Sequence, residues 1–214
     1  MKVSIVIPCY NAEKFLSRAI RSATSQRFPR DDYEVIVVDD GSDDHTCDIA
    51  RDYESEIVLV RHDENKGLSA ARNTGIRKAR GRYVLHIDAD DYIDQDLAFI
   101  EQLHLSLNPH WGAVSCDYYL VNEDEQHISR ISGVGHPIAC GIMFRKDALV
   151  DIGLYDEEMK MWEDEDLRLR FMKRHHIGHV ELPLYRYRKH KHNITNDTEK
   201  GDEYRAKLIA KHNE

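Results

Sequence analysis

A chain of 214 residues with 41% apolar and 32% charged residues is long enough for one large domain with a sizeable core, and less readily for two small ones. Its 39 acidic against 30 basic residues, a formal charge of −9, argue against a protein that meets nucleic acid through a basic face, and no apolar run has the length of a membrane span. Cys9, Cys47, Cys116 and Cys140 are scattered without C-x-x-C spacing, which argues against a zinc site or a disulfide frame and for reduced thiols in the cytoplasm.

Residues 3–7 (VSIVI) form a β-branched run ended by Pro8, the pattern of a buried strand. The lone lysine and short apolar stretch of residues 1–8 do not suit a signal-peptide core. Apolar residues then recur at helical spacing from Ala12 to Ala23, with Asn11 placed as N-cap. Residues 34–38 (EVIVV) predict a second buried strand that runs into Asp39-Asp40-Gly41-Ser42, followed by a helix to about Tyr53 and a strand over 57–60. A helical stripe of Leu68, Ala71, Gly75, Ile76 and Ala79, with Gly81 as C-cap, leads to a strand over 83–87. Repeated strand–helix units with short continuous apolar strands specify a mainly parallel sheet covered on both faces, with all strand C-termini on one edge. Ligands of such sheets bind at that edge, where the strand order reverses. A further helix is expected over 93–107. From Ala113 the rhythm changes to a hairpin (113–121 and 127–131), a glycine-bearing loop (133–141), a strand (142–144), a brief helix (147–152), a helix opening at Met161 and capped near Gly178, and two short strands (180–182 and 184–188) separated by Pro183. The tail from residue 196 is polar, with Tyr204 and Leu208 predicting a weak surface helix.

The strand over 83–87 breaks into Asp88, Asp90 and Asp91. Three carboxylates in four positions repel one another and are costly to desolvate, so packing does not explain them. Hard oxygen ligands in a short turn suit Mg²⁺ or Mn²⁺ with a phosphate on the far side. Other groups carry a functional and a bland reading side by side. Asp39-Asp40-Gly41-Ser42 suits a nucleotide base or ribose, or simply a helix N-terminus. Lys66 and Arg72 suit a diphosphate, or a solvated basic face. Glu163-Asp164-Glu165-Asp166 offers a general base, or only acids favoured in a first helical turn. His190 and His192 suit either polar surface or a share in the Asp-bound metal.

In this order and spacing the motifs VSIVIPCYN (3–11), VVDDGS (37–42), NKGLSAARN (65–73), LHIDADD (85–91), GLYD (153–156), EDEDL (163–167) and YRKHKHNIT (187–195) resemble the family 2 glycosyltransferases of the GT-A fold, over nearly the whole chain. The resemblance implies an α/β domain of GT-A type over residues 1–195. A mainly parallel nucleotide-binding half (1–112) would be followed by a smaller mixed acceptor and catalytic-base half (113–195), with 196–214 as a tail. It also implies transfer of a sugar, with inversion, from a nucleotide-diphosphate donor to an acceptor hydroxyl. Residue by residue, Pro8 and Tyr10 would border the nucleoside and Asp40 would bond the base. Arg72 and Lys66 would contact the nucleotide, and Asp88 would face the ribose. Asp90, with Asp91 adjacent and His190 joining, would hold the Mg²⁺ or Mn²⁺, and Asp164 would be the base. His86 and His192 lie outside the pattern and have no assigned role.

The expected partners are a UDP-sugar and a glycan or lipid-linked acceptor in surface glycan or polysaccharide assembly, without nucleic acid. Peripheral membrane contact through the cations of residues 168–174 or the tail is a further expectation. The chain ends soon after residue 195, which argues against a processive synthase. The expected location is the cytoplasm or the inner face of the membrane. A pyrophosphorylase or dehydrogenase would need a glycine-rich loop where the chain has Pro8-Cys9-Tyr10-Asn11. The remaining alternative is a non-catalytic module that binds a nucleotide-sugar or a glycan.

Overall fold

The computed structural model describes residues 1–134, 138, 140–191, 193 and 198–212. Nine strands make one sheet: β1 (Val3–Cys9), β2 (Tyr33–Asp39), β3 (Val58–Arg61), β4 (Tyr83–His86), β5 (Tyr92–Ile93), β6 (Trp111–Val121), β7 (His127–Ile131), β8 (Ile142–Arg145) and β9 (His176–Arg188). Their order is β3-β2-β1-β4-β8-β6-β9-β5, with β7 paired to β6. The first four are parallel, as expected of continuous apolar runs buried on both faces. Beyond β4 the sheet is mixed: β8 runs antiparallel to β4 and β6, whereas β6 and β9 are parallel.

Alternation along each strand feeds two cores. Val3, Ile5, Ile7, Val35 and Val37 face one core, and Val6, Ile36, Val38 and Val84 face the other. Burying each such side chain stabilises the fold by about 1.5–3 kcal/mol. The helices α1 (Leu16–Thr24), α2 (Thr46–Arg51), α3 (Leu68–Lys78), α4 (Leu97–Leu107), α5 (Lys146–Asp151), α6 (Glu163–Met172) and α7 (Thr198–His212) complete the described elements. The order of the parallel strands reverses between β1 and β4. Cys9 pairs with Asp39, and His86 pairs with Val6, so the 9–11, 39–42 and 87–91 loops leave one edge together. That is the convergence expected from topology.

Several local expectations are corrected. Asn11 is no helix cap: α1 begins at Leu16, and Asn11, at φ 48°, accepts a hydrogen bond from Asp43 N at 3.1 Å and donates its own N–H to Ser42 Oγ at 3.0 Å. It ties the first loop to the second. Gly81 is not the cap of α3, whose C-cap is Ala79; a Cβ on Gly81 would lie 2.6 Å from Ser4 N, so close backbone approach explains this glycine. The α6 helix stops at Met172 rather than near Gly178, which lies in β9 against Trp111. The two strands expected around Pro183 are one, because the register against β6 shifts at Asp117, opposite Pro183. A bulge is where a strand tolerates a proline. The two-residue strand β5 was not anticipated. The tail helix α7 is docked, not loose: Leu208 is buried, Trp162 Nε1 donates to Gly201 O at 2.9 Å, and Lys211 bridges Asp156 and Asp166.

Candidate active site

The second acid loop is built around Asp40. Its carboxylate accepts the N–H groups of Lys66 (2.9 Å) and Gly67 (2.7 Å) and pairs with His62 Nδ1 at 2.6 Å. Gly67 adopts φ 97°, which lets the chain turn its N–H inward just before α3. Asp40 is 2% exposed, so it anchors the 62–67 loop to the sheet edge. Pro8, expected to end the first strand, lies inside β1 and pairs with Val38, and Tyr10, 48% exposed, follows the strand's end at Cys9. Lys66 is exposed, and its carbonyl accepts Lys160 Nζ at 3.0 Å.

Arg72 comes from α3 and is 1% exposed. Its guanidinium donates to Asp88 Oδ1 at 2.9 Å and to Glu163 Oε1 at 2.7 Å, and lies 5.3 Å from the centre of the Tyr155 ring. One buried cation thus joins the acid loop after β4 to the start of α6. Next to it, Asn73 acts as a backbone mimic: Tyr155 N donates to its Oδ1 (3.0 Å) and its Nδ2 donates to Tyr155 O (2.9 Å). The NKGLSAARN and GLYD segments are therefore in direct contact. His86, which had no assigned role, is fully buried with Nδ1 3.1 Å from Tyr155 Oη. Burial, reinforced by the charge of Arg72, lowers its pKa to about 3, so it is a neutral ring at physiological pH.

The three acids of the first cluster do different things. Asp91, expected among the metal ligands, is hydrogen-bonded to β9. It is 2% exposed, and its oxygens accept Tyr185 Oη and Arg188 N, both at 2.7 Å. Burial and then the charges of Asp90 and Asp88 raise its pKa. Asp90 Oδ2 pairs with His190 Nε2 at 2.8 Å and Asn193 Nδ2 at 3.4 Å, while Asp88 faces Arg72. The His190 ring packs against Phe15, their centroids 4.9 Å apart. His192 lies outside the described residues, as do 135–137, 139 and 194–197.

Among the described residues no three His, Cys, Asp or Glu side chains converge on one point. A Mg²⁺ or Mn²⁺ site does not require it, because one or two carboxylates suffice when phosphates and water complete the shell. Burial and the charge of Asp88 hold the Asp90 carboxyl above its usual pKa, a frustration that a cation would relieve. The oxygen-rich, partly exposed pair of Asp88 and Asp90 therefore fits such an ion.

The EDED run is resolved by its partners. Glu163 meets Arg72, Glu165 meets Arg168 at 2.6 Å, and Asp166 meets Arg170 at 2.7 Å and Lys211 at 2.8 Å. Asp164 alone of the four forms no ion pair among the described residues. It lines a cavity of about 20 Å³ with Ile138, Ile142, Phe144 and Tyr155, roughly the room of one hydroxyl or water. Burial, and secondarily the charge of Glu163, raises its pKa to about 6. Trp162, at φ 60°, presents this turn from a left-handed conformation uncommon for a bulky residue. Sequence reasoning missed Glu163, Tyr185 and Arg188 as organisers of the site. Their signals, the acid before Asp164 and the alternating Y-R-Y-R, are legible only once their partners are known.

Of the cations of residues 168–174, expected to meet a membrane, the three arginines are ion-paired within the fold and Lys173 is exposed. Arg168 and Arg170 bind acids of α6, and Arg174 binds Asp151 at 3.0 Å. No helix of the described residues is long and apolar enough to cross a membrane.

Residues 4–180 match the family model described as Glycosyl transferase family 2. A poly(ribitol-phosphate) beta-glucosyltransferase of Bacillus spizizenii is 43% identical over 100 residues, which are 45% of this chain and 16% of that enzyme. The Staphylococcus aureus TarS 1–349 structure in complex with UDP superposes with a TM-score of 0.80 at 24% identity, over 98% of this chain and 64% of that one. A mannosyltransferase of Pyrobaculum calidifontis, solved with GDP-Man and Mn²⁺, gives 0.79 at 21% identity, over 98% and 63%. This chain thus spans less than two thirds of each of these relatives. With the topological switch point, the acid loops and the matched residues all in agreement, the chain belongs to glycosyl transferase family 2 and has the GT-A fold.

Proposed function

We propose that this domain transfers a sugar, with inversion, from a nucleotide-diphosphate donor to an acceptor hydroxyl in glycan assembly. The observation that carries the reading is the Arg72 bridge between Asp88 and Glu163, which ties the acid loop to the helix turn bearing Asp164, the acid of the EDED run that forms no ion pair among the described residues. In this reading Pro8 and Tyr10 border the nucleoside and Asp40 shapes its pocket by holding the 62–67 loop. Lys66 lies at the open side. Arg72, being buried, acts by orienting Asp88 rather than by meeting the nucleotide itself. UDP and GDP-Man in the similar structures support a nucleotide-sugar donor, with UDP-sugars the first to test.

Asp164 accepts the proton of the acceptor hydroxyl, which attacks the anomeric carbon from the face opposite the diphosphate. Asp90 and Asp88, with His190 as ligand or as the group orienting Asp90, would hold a Mg²⁺ or Mn²⁺, which would supply charge neutralisation for the leaving diphosphate. The Mn²⁺ in the similar mannosyltransferase structure supports that choice. Asp90→Ala is expected to weaken Mn²⁺-dependent UDP binding by about 10–100-fold in calorimetry, while binding without Mn²⁺ stays unchanged. Equal Mn²⁺-dependent affinities for variant and parent would remove Asp90 from the site.

A further inference from the structure

Away from these acids, α1 and the β5 edge enclose an open groove of about 490 Å³. Three arginines line it in a chain whose net charge is −9. Arg18 and Arg21 project from one face of α1, because positions three apart stack along a helix, and Ser25 is the C-cap that follows. The opposite face, with Leu16, Ala19, Ile20 and Ala23, is in the core. Arg18 lies over Tyr92, 4.0 Å from the ring centre, and spends only its Nε on Glu125, leaving both terminal nitrogens without a partner among the described residues. Arg21 is exposed, with no side-chain partner among the described residues. Across the groove Arg186 donates to Asp94 Oδ2 at 3.0 Å and to Pro183 O at 2.6 Å. The ionic groups lining the space are Arg18, Arg21 and Arg186 against Asp94; Asp94 pairs with Arg186, Glu125 behind the groove is shared by Arg18 and Arg188, and Arg21 has no acidic partner among the described residues. The exposed Gln95 adds an uncharged donor.

We propose that this groove is an anion site for the phosphate of a phosphodiester chain, separate from the nucleotide-sugar site. The guanidinium of Arg18, held over Tyr92 with both terminal nitrogens free among the described residues, is suited to phosphate oxygens, and Arg21 adds a charge beside it. The groove is concave, so it admits a single extended chain, whereas a bilayer surface cannot enter it. It also adjoins the chemistry. Tyr92 follows Asp91 directly, and Arg186 is two residues, about 7 Å, along β9 from Arg188, which holds Asp91.

The test is a titration of the whole chain with glycerophosphoglycerol, no nucleotide present, read on the Nε–H resonances of Arg18 and Arg21 in a nitrogen–proton spectrum. The expected result is a saturable shift that weakens with salt, is absent with glycerol, and loses about tenfold in affinity in Arg21→Glu, the loss of one charge-assisted hydrogen bond. Arg18→Gln is expected to weaken it as well. A shift that fails to saturate, equals that with glycerol, or persists in Arg21→Glu overturns the proposal. Binding seen only with phosphatidylglycerol vesicles overturns it too, since that ligand is a membrane and not a soluble chain. Because no donor is present, a negative result leaves sugar transfer untouched, and inactivity toward every nucleotide-sugar leaves this site untouched.

Discussion

Replacing Arg72 with methionine is expected to destabilise the fold by about 3–5 kcal/mol, the cost of leaving buried charges without their partner. Asp88 and Glu163 both bond this one guanidinium, and the residue is 1% exposed. Methionine fills most of the volume, so the loss reports electrostatics more than a cavity. For a chain of this size each kcal/mol lowers the melting temperature by about 2–4 °C. Adding Glu163→Gln is expected to restore part of the stability, because it removes one of the stranded charges. In a double-mutant cycle the two changes are then strongly coupled. A loss below about 1 kcal/mol, or simple additivity, would mean that the bridge is solvated and does not organise the site.

The second large effect belongs to Asp164. Changing it to asparagine keeps the shape and removes the basicity, so turnover is expected to fall by about 10²–10⁴-fold with donor affinity nearly unchanged. The raised pKa sets the pH dependence. Below about 6 the carboxyl is neutral and accepts no proton, so kcat/KM of the parent is expected to fall about tenfold per pH unit there and to level off above it. In Asp164→Asn that limb disappears. Stability carries the opposite sign. An acid whose pKa is raised in the folded state costs stability above about 6 and costs nothing below its unfolded value, so the asparagine variant is expected to be no less stable than the parent at neutral pH. A variant that loses activity and stability together would indicate a structural carboxylate.

The parallel half was legible because buried strands such as residues 34–38 are continuous apolar runs, and the loops after them carry their acids at the sheet edge by topology alone. What sequence could not supply was orientation. Asp90 and Asp91 are neighbours of the same type, yet one keeps a partly open carboxylate and the other is sealed under Tyr185 and Arg188, nearly a hundred positions away. The same holds for the EDED run, whose four acids are equivalent until Arg72, Arg168, Arg170 and Lys211 claim three of them. Pro183 predicts a strand break, because proline cannot donate to a sheet ladder. Only the register shift opposite it, at Asp117, makes the continuous β9 possible. The polarity of residues 198–212 hid a docked helix, since Leu208 and the Lys211 pairs hold it by tertiary contacts that local pattern does not encode.

The central claim is sugar transfer at a site spanning Asp88, Asp90 and Asp164. It is tested most directly by measuring release of UDP, GDP or dTDP from a panel of nucleotide-sugars, with and without Mn²⁺ and with and without a mixture of glycan acceptors. At least one donor is expected to release its nucleotide in a reaction that needs both Mn²⁺ and acceptor, and the new glycosidic bond is expected to have the anomeric configuration opposite to the donor's. Tight donor binding with no acceptor-dependent release, or a product that retains the donor's configuration, would contradict the claim.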